Sequence, residues 1–167
     1  DKLLRIVDSR ARSVDDEGIK HFLNAQLGLL FWKRFEKPDK AEVYFRRVQE
    51  AAGQGGLVAD FYTEYYAKRG NWRRLEQLYA DQGADPIETK RKLAQIAESQ
   101  GKKDKALAFW QAVFKADPSD TPTYERLREL LTDLAKWHSL AELLKTRLKG
   151  LNDEDVDDKI SLLTEMI

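Results

Sequence analysis

Residues 85–118 decide the fold, and their sequence is DPIETKRKLAQIAESQGKKDKALAFWQAVFKADP. Apolar residues recur at helical spacing on both sides of Gly101, which favours two amphipathic helices separated by a tight turn. Asp85 is placed to cap the first helix, Pro86 lies in its first turn, and Glu88 would complete a capping box. The segment therefore predicts a helical hairpin.

The same hairpin pattern occurs four times along the chain. Four small or apolar residues share one frame, at separations of 34, 31 and 34 residues: Ala41, Leu75, Ala106 and Leu140. A larger apolar residue follows each of them by four positions, on the same helix face: Phe45, Tyr79, Trp110 and Leu144. A repeat of this length, with a helix, a turn and a helix in each unit, predicts an all-α fold of stacked hairpins, an α-solenoid.

The third unit resembles the tetratricopeptide repeat (TPR). The residues that carry the resemblance are Leu93, Ala94, Gly101, Ala106, Trp110 and Pro118. The fourth unit has Ala135 where that family usually has glycine, and residues 137–148 also resemble divergent repeats of large bacterial scaffold proteins. The resemblance implies a right-handed solenoid of antiparallel hairpins, with Gly70, Gly101 and Ala135 at or beside the tight turns.

On this resemblance we expect residues 1–167 to form a single TPR-like solenoid fragment. Its repeats would span about 22–55, 56–86, 87–120 and 121–154, with partial units at 1–18 and 155–167. The chain does not begin with methionine, and we expect it to be a piece of a longer array.

Composition and charge narrow the classes of partner. The chain is 42% hydrophobic and 35% charged, so it can bury a core. Lys and Arg balance Asp and Glu at 29 each, which leaves no overall field to hold a polyanion or an anionic membrane. No apolar run approaches the roughly 18 residues of a membrane-spanning helix. Cysteine is absent, which excludes disulfides and thiol chemistry without identifying a compartment.

The sequence offers little for catalysis, metals or cofactors. Only His21 and His138 could serve as imidazole bases, they stand far apart, and no Gly-x-Ser-x-Gly motif is present. The glycines around residues 53–56 lack the Lys-Ser or Lys-Thr of a phosphate loop and are better interpreted as a helix stop. The acids of residues 153–158 fail the EF-hand pattern and suit the first turn of a helix. We expect neither an enzyme nor a bound cofactor or metal.

Residues 68–74 form a basic cluster around an aromatic ring. Lys68, Arg69, Arg73 and Arg74 could neutralise phosphates while Trp72 stacks on a base, which would suit a nucleic acid. The cluster falls on the predicted turn, however, where Trp72 occupies an aromatic packing position. We expect a solvated corner rather than a nucleic-acid site.

A concave groove is the surface that the resemblance implies for binding, lined by the first helix of each repeat. Matching the frames places these residues in it: Leu23, Gln26, Leu30, Lys33, Asp60, Glu64, Lys68, Arg91, Gln95, Glu98, Glu125, Glu129 and Asp133. The basic and amide residues with which some members of the family clamp a carboxylate are not at these positions. The N-terminal end is apolar and basic, and the C-terminal end is acidic.

Three acids at i, i+4 and i+8 repel one another, so something positive is expected opposite Glu125, Glu129 and Asp133. It could be internal, because Asp60, Arg91 and Glu125 hold equivalent places and could form a charge ladder, or it could be a basic, partly apolar peptide in the groove. In the second case, the double change Glu129→Lys with Asp133→Lys should weaken binding of a basic partner.

The sequence thus predicts a non-catalytic protein-interaction scaffold that binds a protein or peptide segment. Two alternatives stay open: a nucleic-acid-associated helical repeat, and a regulatory or targeting segment of a larger enzyme. We expect the aromatic residues to pack between helices rather than to form a cofactor site: Phe31, Trp32, Phe35, Tyr44, Phe45, Tyr62, Tyr66, Trp72, Tyr79, Phe109, Trp110 and Trp137.

Overall fold

A computed structural model of the chain describes residues 2–53 and 55–150. These residues form nine α-helices and no strand, which confirms the all-α prediction for the described part of the chain. The helices are α1 (Lys2–Ser13), α2 (Glu17–Leu29), α3 (Pro38–Ala52), α4 (Gly56–Lys68), α5 (Trp72–Asp81), α6 (Pro86–Ser99), α7 (Lys103–Ala116), α8 (Thr121–Asp133) and α9 (Trp137–Gly150). A π-helical turn at Leu30–Arg34 extends α2. The predicted partial unit at 155–167 and the acidic residues 153–158 lie outside the described residues.

The chain divides into two compact units, Asp1–Leu78 and Tyr79–Ile167, which we name unit 1 and unit 2. In unit 1, α2 packs against both α1 and α3, and α3 also contacts α4. In unit 2, α7 packs against both α6 and α8, and α9 packs against α8. Contacts between consecutive helices therefore organise each unit.

Four turns recur with the spacing of the sequence repeat. Each consists of three residues, at 35–37, 69–71, 100–102 and 134–136, and their starts are separated by 34, 31 and 34 residues. The middle residue of each turn has a positive φ, at Glu36, Gly70, Gly101 and Ala135. The predicted positions of Gly70, Gly101 and Ala135 are confirmed.

The last three of these turns share one hydrogen-bond pattern. At α6, the amide of Lys102 donates to the carbonyl of Ala97 at 2.8 Å, and the amide of Gly101 donates to that of Glu98 at 2.8 Å. This is the Schellman motif, in which a left-handed residue lets the chain satisfy the last carbonyls of a helix. The same pair of bonds occurs one repeat later at Ala135 and Lys136, where a side chain occupies the position that favours glycine.

Helix α6 begins much as the sequence predicts, with one difference. The carboxylate of Asp85 accepts hydrogen bonds from the amides of Ile87 and Glu88, both at 2.9 Å, so Asp85 is the N-cap. The predicted return bond of the capping box is absent. The carboxylate of Glu88 instead accepts from Nε of Arg91 at 3.1 Å, because the guanidinium is a charged donor within one helical turn.

Unit 1 has an aromatic core. The ring of Phe61 lies 4.5 Å from that of Phe45 and 5.4 Å from that of Trp32, measured between centroids, and contacts Tyr62 and Tyr65 as well. Gly28 permits this packing, since a Cβ there would come within 3.0 Å of the Phe45 ring. Rings from α2, α3 and α4 thus join consecutive helices.

Unit 2 has a mainly aliphatic core. Its fully buried residues come from α6, α7 and α8, and the frame residue Ala106 lies among them without exposure to solvent. The largest fully buried side chains are Leu93, Val113, Leu127, Leu131 and Thr123.

Two of the aromatic residues that were predicted to pack between helices do not. Trp137 is 61% exposed and Phe35 is 40% exposed. Trp137 is the first residue of α9, and Phe35 lies in the turn that follows the π-helical segment. The ring of Phe35 contacts only one other ring, that of Phe31, at 5.6 Å among the described residues.

Candidate functional site

The thirteen residues predicted for the groove lie on four helices, counting the π-helical turn with α2. Unit 1 carries Leu23, Gln26, Leu30 and Lys33 on α2 and its π-helical turn, and Asp60, Glu64 and Lys68 on α4. Unit 2 carries Arg91, Gln95 and Glu98 on α6, and Glu125, Glu129 and Asp133 on α8. Within each unit, side-chain contacts show which of them come together.

Glu64 gathers the charged residues of unit 1. Its Oε1 accepts a hydrogen bond from Lys68 at 2.7 Å, and its Oε2 accepts from Lys33 at 3.3 Å and from the indole of Trp32 at 3.1 Å. The hydrogen bond from Lys68, aided by Lys33, lowers the pKa of Glu64 in spite of its partial burial. The Nζ of Lys33 also lies 3.5 Å from the centroid of the Trp32 ring. The predicted basic end of the groove is therefore partly neutralised, since one carboxylate pairs with two ammonium groups.

Glu98 is the most enclosed of the predicted residues in unit 2. Its carboxylate accepts from the indole of Trp110 at 2.5 Å and, in a bidentate arrangement, from Arg126 at 2.6 and 3.0 Å. Burial raises the pKa of Glu98, but the hydrogen bonds from Arg126 and Trp110 outweigh it, and the resulting pKa is lower than usual. A partner could reach this carboxylate only by displacing those donors.

Arg91 does not form the predicted ladder with Glu125. Its guanidinium binds Asp120 at 2.9 Å and the hydroxyl of Thr123 at 3.2 Å, both at the start of α8. Asp120 is the N-cap of α8, and its side chain is only 13% exposed, whereas Glu125 is exposed. Arg91 therefore pairs with the less exposed of the two carboxylates. The hydrogen bond that Arg91 donates to Asp120 raises the pKa of Arg91.

Two of the three acids on α8 have internal partners. Glu129 accepts from Arg126 at 2.5 Å, and Asp133 accepts from Lys103 at 2.8 Å. The positive charge expected opposite these acids is thus supplied within unit 2. Both acids also border a shallow cavity of about 440 Å³, whose apolar wall is formed by Leu140 and Leu144.

Four polar residues of the predicted groove keep their side chains available. Gln26, Asp60, Gln95 and Glu125 are exposed and make no side-chain hydrogen bond or ion pair with any described residue. Gln26 and Asp60 belong to unit 1, and Gln95 and Glu125 belong to unit 2. In chemical terms they offer two carboxylates and two amides, without a fixed cation.

An exposed apolar stripe on α2 was not identified from the sequence. Phe22 is 60% exposed and Ile19 is 50% exposed, and both lie at helical spacing from the predicted residues Leu23 and Gln26. Large apolar side chains held together in solvent are typical of interaction surfaces. The signal that could have found them is the continuation of the stripe toward the N-terminus of α2.

The basic corner at residues 68–74 is partly neutralised. Lys68 binds Glu64, and Arg69 binds Asp39 of the preceding hairpin while its guanidinium lies 4.3 Å from the centroid of the Tyr65 ring. The hydrogen bond from Arg69 lowers the pKa of Asp39. Because two of the four cations are already paired, the corner is a weaker site for phosphates than its composition indicates.

Histidines and acidic clusters are the two features of the described residues that could suggest other kinds of site. Nε2 of His21 donates to the carbonyl of Val48 at 3.0 Å, which fixes its role as a contact between α2 and α3. No group of three or more His, Asp or Glu residues that could hold a metal is found within residues 2–53 and 55–150. None of the helices described has the length and apolar character needed to cross a bilayer.

Comparison with known proteins does not assign the chain to a family. No family model matches its sequence, and no curated protein matches it.

Proposed function

We propose that this protein is a non-catalytic protein-interaction scaffold, built as a right-handed TPR-like α-solenoid that binds a partner segment along its first helices. The repeated turns at Glu36, Gly70, Gly101 and Ala135 support the hairpin architecture. Their spacing equals that of the apolar frame, so local turn chemistry and packing have the same period.

A recurring ionic contact supports the stacking of hairpins. In unit 1, Asp39 at the start of α3 binds Arg69 in the next turn, and in unit 2, Asp104 at the start of α7 binds Lys136 in the next turn at 2.6 Å. The partners are 30 and 32 residues apart, about one repeat. The same type of link thus joins consecutive hairpins within each unit.

The apolar stripe of Ile19 and Phe22 is the observation that carries the interaction hypothesis. Leaving two large apolar side chains half or more in water gains nothing for folding, whereas burying them against a partner would stabilise a complex. In unit 1, the unpaired carboxylate of Asp60 on the neighbouring first helix adds a preference for positive charge. The partner expected is a segment with apolar side chains and basic residues.

Affinity capture with the whole chain as bait tests this proposal. Partners captured by the wild type should be lost or strongly reduced with the double variant Ile19→Ser, Phe22→Ser, because exposed anchors contribute most when they become desolvated in an interface. The matched control is Ile6→Ser, which removes another exposed isoleucine, on α1. Helicity measured by circular dichroism should be unchanged in both.

The charge preference is tested separately with purified partner. Asp60→Lys should weaken association and reduce its dependence on salt, since exposed charges are screened over about 10 Å at moderate ionic strength. The pair Glu129→Lys, Asp133→Lys should have a smaller effect, because Arg126 and Lys103 already form ion pairs with those acids. Equal capture by the Ile19→Ser, Phe22→Ser variant would contradict the proposed surface, and salt-sensitive binding of generic RNA would favour the nucleic-acid alternative.

A further inference from the structure

A second surface in unit 2 carries the features of a ligand site. A cavity of about 430 Å³ lies between α7, α8 and α9, and its size suits one or two side chains of a bound peptide. Its floor is apolar and consists of Phe114, Leu127, Leu131 and Leu143, all of them buried. We name it the outer groove.

The corresponding place in unit 1 has a different surface. Three repeat lengths, or 99 residues, separate equivalent positions of the first and last repeats. The equivalents of Leu127, Leu131 and Leu143 are therefore Gly28, Trp32 and Tyr44. There, Tyr44 stacks on Phe31 with ring centroids 5.5 Å apart, and Trp32 is buried. Unit 1 also has a cavity of about 400 Å³ between α1, α2 and α3, but the residues that line it are mainly polar and include Arg12, Glu17 and Lys20. The apolar floor of the outer groove is therefore not a necessary product of the repeat.

Charge at the rim indicates what the outer groove would accept. The titratable groups that line it are Lys115 on α7, and His138 and Glu142 on α9. Glu142 is paired with Lys145 at 2.9 Å. Lys115 makes no ion pair and His138 makes no hydrogen bond with the described residues. The rim thus offers an ammonium and an imidazole as uncommitted donors, beside one carboxylate that is already neutralised.

We infer that the outer groove of unit 2 binds a partner segment that presents a large apolar side chain next to a carboxylate. The apolar side chain lies on Phe114, Leu127, Leu131 and Leu143. The carboxylate lies at the rim, within reach of Lys115 and His138. This partner differs in charge from the one proposed for unit 1, and the two surfaces lie on different helices, so either can fail without the other.

The chemistry can be tested on the whole chain with small probes that carry the same two groups. The probe is 3-phenylpropionate, with 3-phenylpropanamide and 3-phenylpropylamine as neutral and cationic analogues of the same shape. Binding is followed by NMR through the methyl groups of Leu127, Leu131 and Leu143. Affinity near the millimolar range is expected for a probe of this size.

The expected result is saturable shifts of those methyl groups, strongest for the acid, weaker for the amide and weakest for the amine. Lys115→Glu should lower the affinity for 3-phenylpropionate by about two- to fivefold, which is the range of an exposed ion pair. The control Lys92→Glu makes the same charge change at an exposed position of α6 outside the groove and should leave the affinity unchanged.

Three results would overturn the inference. One is the absence of saturable shifts at these leucines with any probe, and another is an amine that binds as well as the acid. The third is a set of shifts that appears with protein concentration alone, because a second copy of the chain would then occupy the groove.

Discussion

Units 1 and 2 share one repeat frame but join their helices by different chemistry. In unit 1, Phe61 contacts four aromatic rings on α2, α3 and α4. In unit 2, the largest fully buried side chains are mainly aliphatic, and Glu98 links α6 to α7 and α8 through Trp110 and Arg126. Aromatic packing does not titrate, whereas the Glu98 network depends on the ionised carboxylate. Glu64 forms a similar contact with Trp32 and Lys33 in unit 1, but its side chain is 36% exposed against 18% for Glu98, so water screens it more.

The comparison shows that the repeat frame specifies where side chains are buried more strictly than it specifies their chemistry. One frame position holds Asn24, Val58, Thr89 and Thr123, which are all buried although only one of them is apolar. A stacked array tolerates this variation because each repeat packs only against its neighbours. Different stretches of one chain can therefore differ in how their stability depends on pH and in the surfaces that they present.

The largest expected effect comes from removing the aromatic centre of unit 1. Phe61→Ala should lower the free energy of unfolding by about 3–5 kcal/mol, the usual range for a buried large aromatic residue. Trp110→Ala should cost about as much in unit 2. Amide hydrogen exchange, followed by mass spectrometry, should show the loss of protection concentrated in the unit that carries each substitution. A change below about 1 kcal/mol for either would show that its ring is not part of the core.

A smaller loss is expected when the ionic link of unit 2 is broken. Glu98→Ala should cost about 1–3 kcal/mol, because it leaves the indole of Trp110 without its acceptor and removes the bidentate acceptor of Arg126. Partial exposure of Arg126 keeps the cost moderate, since water can solvate it. The matched control is Glu129→Ala, which removes an exposed partner of the same arginine and should cost less than about 1 kcal/mol in urea titration.

Acid should destabilise unit 2 through the same residue. The pKa of Glu98 is lower in the folded protein than in the unfolded chain, so its stabilising contribution is complete above the unfolded pKa and is lost as pH falls through the folded pKa. The pKa of Asp120 is lowered as well, where the hydrogen bonds from Thr123 and Arg91 outweigh burial. From about pH 5 downward, hydrogen exchange in unit 2 should accelerate, and Glu98→Gln should flatten this dependence. An unchanged pH profile in the Gln variant would assign the effect to other carboxylates.

The smallest effect concerns the turns. Ala135→Gly should stabilise the protein by up to about 1 kcal/mol, because a left-handed conformation is costly for a residue with a Cβ and free for glycine. The matched reverse change, Gly101→Ala, should destabilise it by about 1–2 kcal/mol. No atom lies within 4 Å of a Cβ built at Gly101, so this cost arises from the backbone alone. Thermal melts of the two variants should move in opposite directions.

The sequence by itself determined the all-α fold, the positions of the turns and most of the buried frame. Of the eight frame residues, Tyr79 and Leu140 are half-buried and the other six are buried. Helical periodicity and turn chemistry are local, so they can be read from neighbouring residues without knowledge of the fold. The π-helical turn at Leu30–Arg34 had no such signal, because no glycine or proline marks it.

Only the tertiary structure decided which surface groups are committed and which remain available. Arg126, which binds Glu98 and Glu129, and Lys103, which binds Asp133, belong to other turns of helix or to a neighbouring repeat. The exposure of Phe22 and Trp137, and the open groove above Leu127, likewise depend on what neighbouring helices cover. Such contacts join residues about one repeat apart, and the distance between two side chains on separate helices is set by packing, which periodicity along a single helix does not contain.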